Sequence, residues 1–266
     1  INKILSHYNM LNCNASNTPV LTSKQPTQKD AEDKSCNAAA FPYRNIVGAL
    51  QYLQTCTFPD ITYPLKISSK FLCNFGLPHI KYVKHILRYL RRKEPNTYTL
   101  TGIHNGQLSA YTDATHITDP DNRRSVSSYV IKLGNDTIDY ASSFQTFITY
   151  SSMESELIAL DKVCQRLRHL RWLVEAVGGK LQKAIPIYID NQSAIDVATN
   201  NINTKRTQHL HAKWFRVREY IKNNEFTLHK VASADQQADL LIAYKSKTTF
   251  TRLRDSVKGA QPQSDN

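Results

Sequence analysis

The chain has 266 residues and 41% of them are hydrophobic, which is enough apolar material for one large domain or two small ones. Its 34 Lys and Arg outnumber its 22 Asp and Glu, giving a formal charge of +12 that favours a polyanionic partner. Nucleic acid is the first candidate and an anionic membrane surface the second. Because no apolar run approaches the length of a membrane span, we expect no membrane partner.

The cysteines do not suggest a metal site or a disulfide framework. They are odd in number, lie far apart and include no C-x-x-C pair. We therefore expect reduced thiols of an intracellular protein. The five are Cys13, Cys36, Cys56, Cys73 and Cys164.

The first hundred residues read as a loop followed by helices. The stretch from Thr18 to Ala39 is polar and predicts a loop or linker. The clearest helix runs from Pro78 to Arg92, and Pro95 follows it. Its apolar stripe consists of Ile80, Val83, Leu87 and Leu90. Basic residues occupy the remaining positions, namely Lys81, Lys84, Arg88, Arg91 and Arg92. A solvated basic face is the simplest interpretation of a lone helix of this kind.

After about Gly106 the pattern changes to short β-type runs, then to alternating helices and strands. Three strands come first, Gln107–Asp113, Ser127–Gly134 and Thr137–Phe144, with Gly134-Asn135-Asp136 as a hairpin turn. A long helix from Ser152 to Val177 ends at Gly178-Gly179. The remaining predicted elements are the strand Ile185–Asp190, a helix over NQSAIDVATN, a basic helix Thr207–Asn223, the strand Phe226–Val231 and a helix Ala234–Tyr244. This order predicts an α/β fold, a mixed five-stranded sheet with helices on its faces.

Four acids fall at the ends of these predicted elements. Asp113 ends the first strand, Glu156 lies in the first turns of the long helix, Asp190 closes the central strand, and Asp239 lies in the last helix. Each alone is most simply a surface charge. Together, acids at buried strand ends are costly to ionise unless a cation holds them. Two Mg²⁺ ions roughly 3.5–4 Å apart would do so, and they would stabilise the charge that develops in phosphodiester hydrolysis.

Helix phasing separates Glu156 from its neighbour Glu154. Ser151 to Glu154 matches the capping-box pattern, in which the Glu reaches back to the N-cap amide. Glu154 continues into a mostly polar line, so we expect it on the outer flank of the helix. Glu156 heads the apolar line that must face the sheet, which comprises Leu160, Val163, Leu167, Leu170 and Val174.

Several motifs resemble the Pol polyprotein of copia-type LTR retrotransposons, a group that includes Ty-type elements of yeast. In the ribonuclease H region these are YTDA (111–114), DNRRSVSSYV (121–130), SSMESELIAL (151–160), DNQSAI (190–195), RTQHLHAKWFRVRE (206–219) and QQADLL (236–241). Upstream they are INKILSHYNMLNC (1–13), YRNIVGALQYL (43–53), FPDITY (58–63) and HIKYVKHILRYLRR (79–92). The resemblance covers nearly the whole chain, with the motifs in one order.

The resemblance implies a reverse transcriptase fragment with a ribonuclease H fold. Its parts would be a mainly helical thumb- or connection-like segment (1–105), the ribonuclease H domain (106–245) and a C-terminal tail (246–266). It implies that Asp113, Glu156, Asp190 and Asp239 hold two Mg²⁺ ions, for which Mn²⁺ can substitute, and cut the RNA strand of an RNA–DNA hybrid. It also implies cytoplasmic virus-like particles or the nucleus as the location. No Asp-Asp dipeptide occurs, so the polymerase's Tyr-x-Asp-Asp turn is absent and the upstream polymerase part of the polyprotein, or a second copy, is the expected protein partner.

Two alternatives remain open at the sequence level. The chain departs from the family at Thr115-His116 (usually Asp-Trp), Ser128 (Gly), His211 (Asp) and Ile242-Ala243 (Thr-Lys). A non-catalytic or decayed remnant that only binds nucleic acid is therefore the runner-up. An integrase-type transferase shares the fold but resembles an order with Glu last, so we set it aside. The best candidates for phosphate contacts are Lys84, Arg88, Arg91, Arg92, Lys205 and Arg206, with solubilising charge as the alternative interpretation.

Overall fold

The computed structural model describes residues 1–20, 24–33, 41–92, 98–102, 107–181, 184–199 and 212–259, the side chains of 212–214 excepted. Its α-helices are α1 (Asn2–His7), α2 (Tyr43–Cys56), α3 (Thr62–Ser69), α4 (Leu77–Leu90), α5 (Ser152–Ala176), α6 (Gln192–Thr199), α7 (Ala212–Lys222) and α8 (Lys247–Lys258). Its strands are β1 (Leu108–Thr115), β2 (Val126–Leu133), β3 (Asp136–Phe144), β4 (Ile185–Ile189) and β5 (Phe226–Lys230). Short 3₁₀ helices are Gln28–Glu32, Pro59–Ile61, Ser233–Asp235 and Gln237–Leu241.

The five strands form one mixed sheet in the order β3-β2-β1-β4-β5. Strands β1, β2 and β3 are antiparallel neighbours, whereas β4 is parallel to both β1 and β5. This confirms the predicted ribonuclease H-like sheet, including its five strands and their sequence order. Since β1 and β4 run in the same direction, their carboxyl ends meet at one edge of the sheet.

One face of the sheet is covered by α5, α6 and α7. Alternate residues of β2, such as Tyr129 and Ile131, face this layer. From α5, Leu160, Val163 and Leu167 are almost completely buried in the same core, as the predicted apolar line required.

The opposite face packs against the upstream helices and the C-terminal part of the chain. Val130 of β2 lies in a second core with Ile86 of α4, Leu241 of the 3₁₀ helix and Phe250 of α8. The predicted stripe of α4 is buried here, with Ile80, Val83, Leu87 and Leu90 all at most 4% exposed. The upstream segment and the sheet therefore share one hydrophobic core.

Two predictions for the C-terminal region are wrong. The helix expected from Ala234 to Tyr244 is replaced by the 3₁₀ helices Ser233–Asp235 and Gln237–Leu241. Between them Gln236 adopts extended backbone angles (φ −68°, ψ 100°), and its side-chain amide donates a hydrogen bond to the sheet. The residues expected as a tail instead contain α8, whose Phe250, Leu253 and Val257 are buried. We call Gln237–Leu241 the acid-bearing helix, because it carries Asp239.

Candidate metal centre

Asp113 lies near the carboxyl end of β1, opposite Ser128 of β2. Its side chain is only 6% exposed. The backbone amide of Ala114 donates to Oδ1 at 2.8 Å, which fixes one oxygen of the carboxyl group. The strand therefore presents a buried acid at the edge where β1 and β4 both end.

Glu156 reaches this edge from the first turns of α5. The helix begins after Ser151, whose hydroxyl accepts a hydrogen bond from the Glu154 amide at 3.1 Å. Glu156 is 5% exposed and hydrogen-bonds to Asp113. Its Oε2 atom is buried and has no hydrogen-bond partner among the described residues. A buried carboxylate oxygen of this kind normally has a partner, so this one is suited to a cation.

Glu154 departs from its predicted role in two respects. It is buried, at 7% exposure, rather than on the outer flank. Its Oε2 accepts from the amide of Tyr150, at 2.7 Å, instead of from the N-cap residue Ser151. The helical phasing was still informative, because Glu156 and not Glu154 joins the other acids.

Asp190 follows directly after β4 and is the most accessible strand-end acid, since it is only half-buried. The hydroxyl of Ser233 donates to its Oδ2 at 3.0 Å. One oxygen from each of Asp113, Glu156 and Asp190 lies within 4.8 Å of the other two. The sequence prediction therefore placed three acids that the fold brings together.

Asp239 joins this group from the acid-bearing helix. Its carboxyl group hydrogen-bonds to that of Asp113, although it is not part of the compact three-acid group. On the other side, its Oδ2 forms an ion pair with Nζ of Lys245 at 2.6 Å. All four predicted acids line one open cavity of about 480 Å³.

Two side chains for which the sequence predicted no contact, Gln236 and Ser128, hold the acid-bearing helix on the sheet. Gln236 is fully buried, and its amide donates to the carbonyl of Thr112 on β1 at 3.0 Å. The Ser128 hydroxyl donates to the carbonyl of Ala238 at 2.9 Å. Gln236 belongs to a motif that carried the family resemblance, but no pattern in the sequence indicated its contact. Ser128, a departure from the family, thus has a specific contact beside Asp239.

A second departure, His116, contributes to a network of hydroxyl groups at the start of α5. Nδ1 of His116 is 3.1 Å from the Thr149 hydroxyl and 3.3 Å from that of Ser155. Ser125 and Thr149 hydrogen-bond to each other at 2.9 Å, and both contact Ser155. This network joins the end of β1 to α5 immediately beside Glu156.

The acids raise one another's proton affinity. Burial, followed by the carboxyl groups of Glu156, Asp239 and Asp190, raises the pKa of Asp113 far above its ordinary value. Burial also raises the pKa of Glu156; its hydrogen bond with Asp113 acts in the opposite direction, while Asp190 raises the pKa further. A cation in the cavity would act against this shift and favour the ionised form of both carboxyl groups.

The donor set fits hard divalent cations. Carboxylate oxygens are the ligands that Mg²⁺ prefers, and it usually retains water and substrate phosphate as further ligands. The unpartnered Glu156 oxygen supplies a carboxylate ligand, and the open cavity leaves room for water and a substrate phosphate. The described part of the cavity lining contains no His or Cys, which would favour softer metals.

The predicted phosphate-contact residues have mixed environments. Lys84 is exposed, with its ammonium group 5.4 Å from the ring centroid of Phe41. Arg88 and Arg91 donate from Nε to the backbone carbonyls of Asn14 and Leu11, respectively.

Arg92 is only 9% exposed, and its guanidinium lies 4.8 Å from the centre of the Tyr89 ring. Lys205 and Arg206 lie outside the described residues. The assignment of these residues to nucleic-acid binding stays a prediction. In the described helices, none combines the length and apolar character needed to traverse a bilayer.

Relatives of the chain are transposon polyproteins. It is 31% identical over 261 residues to the retrovirus-related Pol polyprotein from transposon TNT 1-94 of Nicotiana tabacum. The aligned region covers 97% of this chain and 19% of that protein. It is 29% identical over 215 residues to the corresponding polyprotein from transposon RE1 of Arabidopsis thaliana, covering 81% of this chain and 15% of that protein. The chain thus spans less than a fifth of the length of these relatives. No protein-family model matches it.

Among solved structures, ribonuclease H1 from Halobacterium salinarum NRC-1 is similar to 51% of this chain and 94% of its own, with 19% identity and a TM-score of 0.39. The similarity to the transposon relatives extends over 97% and 81% of this chain, beyond the half that resembles the ribonuclease H1 structure. The chain is homologous, over most of its length, to part of the retrovirus-related Pol polyproteins of copia-type transposons.

Proposed function

We propose that this chain is a metal-dependent ribonuclease H that hydrolyses the RNA strand of an RNA–DNA hybrid. The observation that carries the proposal is the convergence of Asp113, Glu156, Asp190 and Asp239 on one cavity, where a buried Glu156 oxygen lacks a partner. Homology to the Pol polyproteins supports the same class of reaction. We propose two Mg²⁺ ions as the cofactor, with Mn²⁺ as a substitute.

Asp113 and Asp190 have different roles in this proposal. Asp113 hydrogen-bonds to both Glu156 and Asp239, so it is the carboxylate best placed to serve both cation positions. Asp190 is half-buried and therefore more accessible to a substrate phosphate than Asp113 or Glu156. When bound, the ions would stabilise charge on the attacking and leaving oxygens and lower the pKa of the attacking water.

The proposed substrate would be recognised mainly by shape and charge. A hybrid offers 2′-hydroxyl groups on one strand and a regular series of phosphates on both, so binding should depend little on sequence. Lys84 is exposed and available for phosphate contact, and Lys205 and Arg206 remain candidates. The upstream polymerase part of the polyprotein, or a second copy of this chain, is the proposed protein partner.

A cleavage assay with a labelled RNA–DNA hybrid tests the proposal, with duplex DNA and duplex RNA of the same sequence as controls. We expect cleavage of the RNA strand of the hybrid that requires Mg²⁺ or Mn²⁺ and stops with EDTA. Tight hybrid binding without cleavage in either metal would reject the enzyme and support a non-catalytic binding protein. Equal cleavage of all three duplexes would reject the substrate class.

A further inference from the structure

Lys245 is a cation placed directly behind the fourth acid. Its Nζ lies 2.6 Å from Oδ2 of Asp239, and the two side chains are 17% and 21% exposed. Asp239 in turn hydrogen-bonds to Asp113. Asp239 therefore connects an ammonium group on one side with the proposed metal ligands on the other.

The ammonium approaches from outside the cavity that the four acids line. Lys245 lies in a separate narrow cleft, together with Val20 and Tyr63 of the upstream segment and Leu240 of the acid-bearing helix. The metal cavity includes Asp239 but not Lys245. Lys245 thus acts on the site through Asp239 rather than through direct contact with a bound ligand.

This ion pair divides the four acids into two classes. Asp113, Glu156 and Asp190 have no ion pair among the residues that the structure describes, whereas Asp239 has Lys245. A Mg²⁺ or Mn²⁺ ion held by the compact three-acid group would not need the oxygen that Lys245 occupies. A second ion that uses Asp239 would meet a carboxylate whose charge is already partly neutralised.

We propose that Lys245 is an internal counter-ion for Asp239, which positions this acid in the metal-free protein and weakens the binding of the second divalent ion. The inference rests on the proposed function, since it concerns the same metal site. It assigns the two ions different affinities, with a tight ion at Asp113, Glu156 and Asp190 and a weaker ion that shares Asp239 with Lys245.

The test is a Mn²⁺ titration of the purified chain, followed by calorimetry and by the electron paramagnetic resonance signal of free Mn²⁺. For the parent we expect one tight and one weak step. Lys245→Met should tighten the weak step on the order of tenfold and leave the tight step unchanged, because it removes one unit of opposing charge. Lys245→Arg should behave like the parent, as should Lys247→Met, which removes an exposed lysine two residues away.

A second background isolates the ion pair. In an Asp239→Asn protein, Lys245→Met should no longer change the weak step, since the carboxylate through which it acts is gone. If Lys245→Met leaves the weak step unchanged or weakens it in the parent background, the proposal is overturned. Lys245→Gln is the substitute if the Met variant does not fold, as judged by its circular dichroism.

The titration separates this inference from the proposed function. Two Mn²⁺ steps that respond to Lys245 as described, without hybrid cleavage, would leave the counter-ion role intact and reject the nuclease. If the protein cleaves the hybrid but Lys245→Met does not change the weak Mn²⁺-binding step, the counter-ion role is rejected and the nuclease proposal stands.

Discussion

Glu154 and Glu156 lie two residues apart at the start of α5 and are both buried, yet their carboxylates have different partners. Glu154 accepts a hydrogen bond from the Tyr150 amide at 2.7 Å. Glu156 instead bonds to Asp113 and retains a buried oxygen without a partner in the described structure. The same helical turn therefore supplies one acid that holds the helix start and another that faces the metal cavity.

This difference predicts opposite effects of two matched substitutions. Glu156→Gln should abolish hybrid cleavage and leave the melting temperature nearly unchanged, because the amide fills the same space without the metal-binding charge. Glu154→Gln should remain active, since an amide oxygen can still accept from Tyr150. Cleavage rates and thermal melts of both variants test this, and an inactive Glu154→Gln beside an active Glu156→Gln would mean that the metal ligands are assigned wrongly.

Without bound metal, the protein should become less stable as the pH rises above the ordinary carboxyl range. Burial raises the pKa of both Asp113 and Glu156 in the folded, metal-free protein above the ordinary carboxyl range. Between the unfolded and folded pKa values the folded state binds more protons, so the free energy of unfolding falls as the pH rises from about pH 4–5. We expect the melting temperature in EDTA to decrease with pH over that interval, and Mg²⁺ to reduce the decrease.

Asp113→Asn provides the control for this titration. It removes the carboxyl group with the more strongly raised pKa, so the larger part of the pH dependence in EDTA should disappear. A metal-free parent protein whose melting temperature is constant or rises from pH 5 to pH 8 would contradict the described environment of these acids.

The upstream helices should be required for folding as well as for binding. Phe250 of α8 is 5% exposed, and its ring packs edge-on against Tyr89 of α4 with centroids 5.8 Å apart. Phe250→Ala should destabilise the chain by about 3–5 kcal/mol. Lys247→Ala, at an exposed position of the same helix, should have little effect.

Hydrogen exchange checks whether the shared core unfolds as one unit. In Phe250→Ala we expect amides in α4 and in β2 to lose protection together, because Val130 of β2 lies in the same core. Loss of protection in α8 alone would show that the two parts fold independently. For the same reason, a chain without residues 1–105 should expose the buried faces of α8 and be unstable.

The exposure of each basic residue of α4 predicts whether its substitution changes the salt dependence of hybrid binding. Lys84→Gln should reduce the salt slope of hybrid binding by about one unit, because each phosphate contact releases about one counterion. Arg92 is buried against Tyr89, so Arg92→Gln should lower stability while the slope changes little. Equal slopes for the parent and Lys84→Gln would remove Lys84 from the nucleic-acid interface.

The sequence predicted the elements whose apolar residues repeat regularly. The alternation in β1 and β2 and the line from Leu160 to Leu167 each leave one side suited to the core, and the sheet forms as expected. Three of the acids could be placed for this reason, because β1, α5 and β4 fix Asp113, Glu156 and Asp190. The regular spacing of apolar residues does not show which polar side chains hydrogen-bond to the backbone of another element.

The conformation around Asp239 and the helix α8 were not predicted correctly, because both depend on contacts between residues that are distant in sequence. Leu240, Leu241 and Ile242 are consecutive and all buried, a pattern that does not distinguish a helix from a tight turn. The non-helical residue Gln236 hydrogen-bonds to Thr112 of β1, a contact with a residue distant in sequence that no local pattern indicates. Likewise, helical periodicity identified the polar face of α4 but not the loop carbonyls that engage Arg88.

The central claim is that the acids hold the ions that cut the hybrid, and Asp190→Asn tests it most directly. Asp190 ends a buried strand but is itself half-buried, so the amide should preserve the fold while removing one metal ligand. Cleavage of a labelled RNA–DNA hybrid should be measured for the parent, for Asp190→Asn and for Asp196→Asn, a matched substitution on α6. We predict that Asp190→Asn binds the hybrid but does not cut it, whereas Asp196→Asn cuts at the parental rate. Cleavage by Asp190→Asn as fast as by the parent would contradict the proposed metal centre.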